Sequence, residues 1–140
     1  MPAPTAAPSS HRALTRWLQR NDWMLHSNAS RAVDDIEALR EGATAVNKTQ
    51  FRAIVNTARL CDNSNTFKRF LQKRKDRRQK EGKKRKAAFW NELLNQLRIA
   101  NDHARDAETA VADLSKSDKM RVVEVYFEHL IAHCQLRSAG

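Results

Sequence analysis

From Ser9 to Ala139 the chain contains no proline and only two glycines, Gly42 and Gly82; its three prolines are Pro2, Pro4 and Pro8. A many-stranded sandwich or barrel needs a turn signal roughly every 8–12 residues, and this sequence cannot supply them. Helices joined by short polar turns are what remains.

Helical spacing runs through the chain. Leu14, Trp17, Leu18, Trp23, Met24 and Leu25 make one apolar stripe, preceded by Ser9 and Ser10 as N-cap hydroxyls and interrupted at Ser27-Asn28. Ala29, Ala32, Val33, Ile36 and Leu39 make a second, shorter stripe that stops at Gly42, placed as a left-handed C-terminal residue. Asn47 and Gln50 have the spacing of a capping box. The helix they open turns Phe51, Ile54, Val55, Ala58 and Leu60 or Cys61 inward, and Arg52, Asn56 and Arg59 outward. After the polar turn Cys61–Asn65 a fourth helix starts with Phe67, Phe70 and Leu71, but the same face then meets Arg74, Arg78 and Glu81. It is expected to leave the core there, with Gly82 and Lys83–Lys86 as a mobile loop or frayed helix.

From Ala87 the apolar pattern resumes through Phe89, Trp90, Leu93, Leu94, Leu97 and Ile99, then Ala104, Ala107, Val111 and Leu114, either unbroken or restarting near Asn101-Asp102. Phe89 and Trp90 are adjacent, so both are not expected to face fully inward; Trp90 is placed at the rim of the basic region or at a subunit contact. Ser115–Ser117 ends this stretch, with Ser117 as N-cap of a last helix carrying Met120, Val122, Val123, Tyr126, Phe127, Leu130, Ile131 and Cys134. Its β-branched residues would suit a strand, yet Phe127, Leu130, Ile131 and Cys134 keep helical spacing. The fold class is all-α: a compact bundle of five to seven helices forming one domain over 11–137. A disordered tail (1–10) precedes it, a short tail (138–140) follows, and residues 67–86 form a projecting basic arm.

Charge is as unevenly placed as the turn-formers. With 26 Lys+Arg against 16 Asp+Glu the net charge is +10, and the nineteen residues Lys68–Lys86 hold twelve bases and two acids. They account for the whole surplus, so the rest of the chain is neutral. Like charges at helical spacing (Lys73, Arg74, Arg77, Arg78, Lys80) destabilise a helix, and five of the twelve bases are Arg, whose fork suits phosphate. Nucleic acid is the expected partner, contacted through the Arg52/Arg59 face and through Lys68, Arg69, Lys73, Arg74, Arg77, Arg78, Lys83, Lys84, Arg85 and Lys86.

Other functions find less support. The longest uninterrupted apolar run is Ala87–Trp90, far short of a membrane span. Two cysteines and an N-terminus without signal-peptide character point to a reducing, cytoplasmic setting. His129 and His133 share a helix face beside Cys134, but no other Cys or His stands at metal spacing, so no metal or other cofactor is expected. A Gly-rich phosphate loop, a nucleophile elbow and paired carboxylates in apolar surroundings are all missing, and the chain is not expected to be an enzyme. Trp17, Trp23, Phe89 and Trp90 read as core at this spacing rather than as base-stacking rings. Two rivals stay open. Lys83-Lys84-Arg85-Lys86 matches a nuclear-import signal and would suit a DNA- or chromatin-binding helical protein; alternatively, the basic segment of a structural adaptor would grip an acidic protein.

The run Asn47-Lys48-Thr49-Gln50-Phe51-Arg52-Ala53-Ile54-Val55 resembles the helix start of the small helical subunits of type III CRISPR effector complexes. Phe70-Leu71-Gln72-Lys73-Arg74 to Arg77, Trp90 and the last helix extend the likeness over about Asn47 to Arg137. The resemblance implies a non-catalytic subunit that stacks with copies of itself along the RNA, beside other subunits of a ribonucleoprotein complex. It also implies contact with the backbone of the guide–target duplex through Arg52, Lys73, Arg74 and Arg77. The first forty residues have no counterpart in that family, and Gln79–Lys86 is more basic than the family requires.

Overall fold

The computed structural model describes residues 6–44 and 46–139. Among them are six helices and no strand: α1 (Ala6–Asp35), α2 (Glu37–Thr44), α3 (Lys48–Leu60), α4 (Ser64–Lys80), α5 (Lys84–Ala110) and α6 (Lys116–Ala139). The all-α bundle read from the turn-former content is the observed fold.

α6 is the axis. It touches each of the other five helices, which is why Val122, Val123, Tyr126, Phe127, Leu130, Ile131 and Cys134 are all buried. A helix packed on several sides buries adjacent residues, and this produces the Val-Val and Leu-Ile pairs that made the segment look strand-like. α1 runs parallel to it: the Ser10 hydroxyl donates to the Ala112 carbonyl just before α6 (3.3 Å), Asp22 meets His129, and Asp34 pairs with Arg137. α4 and α5 form an antiparallel pair across the other side.

Several local expectations change. α1 starts at Ala6, so Ser9 and Ser10 lie inside it rather than capping it; residues 1–5 of the expected tail lie outside those described. Ser27-Asn28 does not interrupt it either. Leu25 and Ala29 on either side are fully buried, and the Asn28 amide reaches His103 of α5 (3.3 Å), so tertiary contacts override two weak helix formers. The helix breaks instead at Ile36, where the Arg40 guanidinium donates to the carbonyl of Asp34. Gly42 sits within α2, which continues to Thr44.

The capping box at Asn47 and Gln50 is present, with both reciprocal bonds made (2.8 and 3.1 Å). Asn63 caps α4 by accepting from Thr66 N–H at 3.0 Å, starting that helix one turn before Phe67. α5 is continuous through Asn101-Asp102. α6 is capped by Ser115 rather than Ser117: the Ser115 hydroxyl accepts from Asp118 N–H while the Asp118 carboxylate accepts from Ser115 N–H, both at 3.0 Å. Asp118 one turn on supplies the reciprocal acceptor, and Ser117 has no such partner.

The aromatic core departs from expectation most. Phe89 and Trp90 are both fully buried. Phe89 turns to Phe51 of α3 and Trp90 to Phe70 of α4, each edge-to-face at 6.2 Å; two neighbouring helices let adjacent rings point inward in different directions. Trp90 therefore lies neither at a rim nor at a subunit contact. Trp23 moves the other way and is 70% exposed. Ile99 is also on the surface, and Cys61, half-buried, packs inward where Leu60 does not.

Candidate nucleic-acid interface

The basic segment folds as a helical hairpin. Lys73 to Lys80 continue α4 without a break despite their like charges. A tight turn follows, with Gly82 at φ 72°, a left-handed conformation that costs a side chain roughly 1–2 kcal/mol. Lys84, Arg85 and Lys86 then form the first turn of α5 rather than a mobile loop. Between Lys75 and Ala88 only Ala87 is buried, so the hairpin tip stands beyond the core. The arm is two helices thick.

Helical geometry divides the bases of α4 between two faces. Arg74 and Arg78 share the inner face with Phe67 and Leu71. The Arg74 guanidinium stacks over Phe70 at 5.1 Å and over Trp90 at 5.9 Å. Its planar cation thereby covers the aromatic end of the core where the apolar stripe runs out. Arg78 donates to Glu81 at 2.9 Å with only 12% of its side chain exposed, and its Nε is buried without a partner. That hydrogen bond, reinforced by Lys83 at 3.5 Å, holds the Glu81 carboxyl below its ordinary range. These two arginines build the hairpin. Arg69, Lys73, Arg77 and Lys80 lie on the outer face, all exposed, and none makes an ion pair with any described residue. Successive members stand about one turn apart, roughly 5–6 Å along the axis. Lys80 belongs to this row, and the sequence reading left it out of the contact set; its spacing of three residues from Arg77 and seven from Lys73 was the available signal.

Lys68 points elsewhere. It joins Gln72 and Lys75 of α4 and Asn91, Asn95, Arg98 and Asn101 of α5 around a polar groove of about 330 Å³. Arg98 was also missed, because it is a lone base among apolar residues in the sequence. The groove places cationic heads beside side-chain amides that both donate and accept.

The α3 face does not join the hairpin. Arg59 lies 3.8 Å from Glu124 and 4.0 Å from Glu128 of α6. Burial, then the neighbouring Glu128, pushes the Glu124 carboxyl up, and Arg59 and Arg121 oppose that shift. Arg59 thus balances an acidic pair. Arg52, about two turns earlier on the same face, is exposed without an ion pair among the described residues.

The histidine and cysteine group on α6 splits in two. Cys134 faces the core, where burial pushes its thiol up to about 12. His129 Nε2 meets Asp22 at 2.8 Å, and His26 packs against His129 and His133 with ring centres 5.2 and 4.7 Å apart. Burial and then its two histidine neighbours push His133 down. Among the described residues no group of three or more His, Cys, Asp or Glu is placed to hold a metal ion. Inside the bundle, Tyr126 donates to Gln96 (2.6 Å) and Gln96 to Glu92 (3.1 Å), and burial pushes the Tyr126 hydroxyl up. His103 is nearly buried against the Tyr126 ring and accepts from Asn28, leaving its Nδ1 without a partner; burial pushes it down, partly offset by Asp106 and Asp102. This polar string ties α1, α5 and α6 together.

Among the described residues no helix is long and apolar enough to cross a membrane. Compared with protein-family models, curated proteins and solved structures, the chain matches none.

Proposed function

We propose that this chain is a non-catalytic RNA-binding subunit of a multi-subunit, RNA-guided complex of the type III CRISPR kind. The observation that carries the polyanion part is the outer row Arg69, Lys73, Arg77 and Lys80, four cations without ion pairs among the described residues on a hairpin standing beyond the core. Lys84 and Arg85 at the tip and Lys68 with Arg98 at the groove extend the positive surface on either side. Such a row meets phosphates, so binding is independent of base sequence and steeply salt-dependent. The resemblance of Asn47–Val55 and of the later segments supports RNA as the polyanion, recognised by the shape and backbone of a guide–target duplex. Exposed Leu60 and Leu136, at the ends of α3 and α6, offer apolar contact points to neighbouring subunits or to further copies laid along the RNA.

The test is the nucleic acid that accompanies the protein when it is purified without nuclease. RNA recovered with the chain, and tighter binding of an RNA duplex than of a DNA duplex of equal length, is the expected result. Preference for the DNA duplex would favour a chromatin-type protein. An absorbance ratio of pure protein, unchanged by nuclease, would favour an adaptor for an acidic partner. Either would overturn the proposal.

A further inference from the structure

The solvent face of α1 carries a feature the hairpin does not account for. Trp23 is 70% exposed, although tryptophan is among the most buried side chains on average. On the wheel of α1 it points away from Leu14, Leu18, Leu25 and Ala29, which are buried. Arg12, Arg16 and Gln19 lie on the same side within an arc of about 60°, and Arg20 flanks it. All four are exposed. The three arginines form no ion pair with any described residue, and Asp22, the nearest acid along α1, is turned to His129. Their guanidiniums recur every four residues, about 6 Å along the axis. Among the described residues α1 makes no contact with α4, whereas both pack on α5 and α6.

We infer that this face is a second, separate binding surface for single-stranded nucleic acid. Arg12, Arg16 and Arg20 take successive phosphates, and the open face of Trp23 stacks on an unpaired base. Charge complementarity selects a polyanion: three unpaired arginines line the stripe and no acid lies on it. The aromatic face selects a single strand, since bases inside a duplex are already stacked and offer no free π-face. Phosphate contacts and base stacking are common to both kinds of strand, so RNA and DNA single strands should both bind. The surface is independent of the reading of the hairpin, and a chain holding both can keep a single strand on one side and a duplex on the other.

The experiment uses fluorescently labelled oligouridylate and oligodeoxythymidylate. They are titrated into the wild type, Trp23→Ala, the triple variant R12A/R16A/R20A, and the hairpin variant R69A/K73A/R77A/K80A. All the altered side chains are exposed, and each variant is expected to melt near the wild-type temperature. Both oligomers should bind the hairpin variant and quench its tryptophan fluorescence. Trp23→Ala should weaken binding between about 5- and 150-fold and remove the quenching. The triple variant should lower the salt slope by about 2. Equal binding by wild type and Trp23→Ala, or loss of all oligomer binding in the hairpin variant, would overturn the inference. So would a Trp23→Ala change confined to sedimentation, which would mean that a second copy of the chain covers the tryptophan. If the hairpin variant keeps its duplex affinity while single strands behave as expected, the hairpin reading fails and this one stands.

Discussion

Arg74 and Arg77 are three residues apart in one basic run, yet the structure gives them opposite work, and alanine at each should fail differently. Arg74 stacks on Phe70 and Trp90 at 5.1 and 5.9 Å. Two partly desolvated cation–π contacts contribute about 1–2 kcal/mol together, and the stem covers apolar surface besides. Removing the charge relieves repulsion from Arg77 and Arg78, returning a few tenths of a kcal/mol for each pair. The net loss for Arg74→Ala is about 1 kcal/mol, which at ordinary urea dependence lowers the midpoint by roughly half a molar. Its salt slope for RNA should barely move. Arg77→Ala strips an exposed side chain and should leave stability within about 0.5 kcal/mol, while lowering the slope by about 0.7–0.9, one phosphate's worth. Urea unfolding and a salt series of RNA titrations on the same two variants are the assay. An Arg74→Ala protein as stable as wild type with a slope reduced like that of Arg77→Ala would refute this division of the helix into two faces.

Three further outcomes follow from single observations. Gly82→Ala should destabilise by about 1–2 kcal/mol in a thermal melt, and the cost is conformational alone because a Cβ there meets nothing within 4 Å. Tyr126→Phe should cost about 1–3 kcal/mol in denaturant unfolding, since it leaves the buried Gln96 oxygen without its 2.6 Å donor; Tyr126→Phe combined with Gln96→Leu should cost less than the two changes added. His103 and His133 are pushed below their ordinary 6.5, so the unfolded chain takes up protons first. Their contribution is complete above about pH 7 and is lost as the pH falls towards the folded values; melting temperature should decline from about pH 7 to about pH 5, less steeply in His103→Gln.

How much of this could be read from residues alone varied with how local the cause was. The capping box at Asn47 and Gln50 is a local device and was legible. So were the helical class, set by missing turn-formers, and the helical nature of α6, carried by the spacing of Phe127, Leu130, Ile131 and Cys134. The breaks were less legible, because tertiary contacts decide them: Asn28 stays helical by reaching His103 across to α5, and Ile36 gives way where Arg40 can serve the freed carbonyl of Asp34. Adjacent inward rings at Phe89 and Trp90 need two neighbouring helices, which no single-helix periodicity reveals. The candidate site was legible as a charge count but not as a surface. The count cannot tell Arg74 and Arg78, spent on Trp90 and Glu81, from Arg69, Lys73, Arg77 and Lys80, which face solvent. Nor could it detach Arg59, whose acidic partners lie far along the chain on α6.

The central claim is that the outer row of the hairpin grips a nucleic-acid backbone. Affinity for an RNA duplex, measured from low to high salt for wild type and for R69A/K73A/R77A/K80A, tests it most directly. Four lost phosphate contacts predict a slope lower by about 3 to 3.6, with the fold unchanged. An unchanged slope in a folded variant would contradict it.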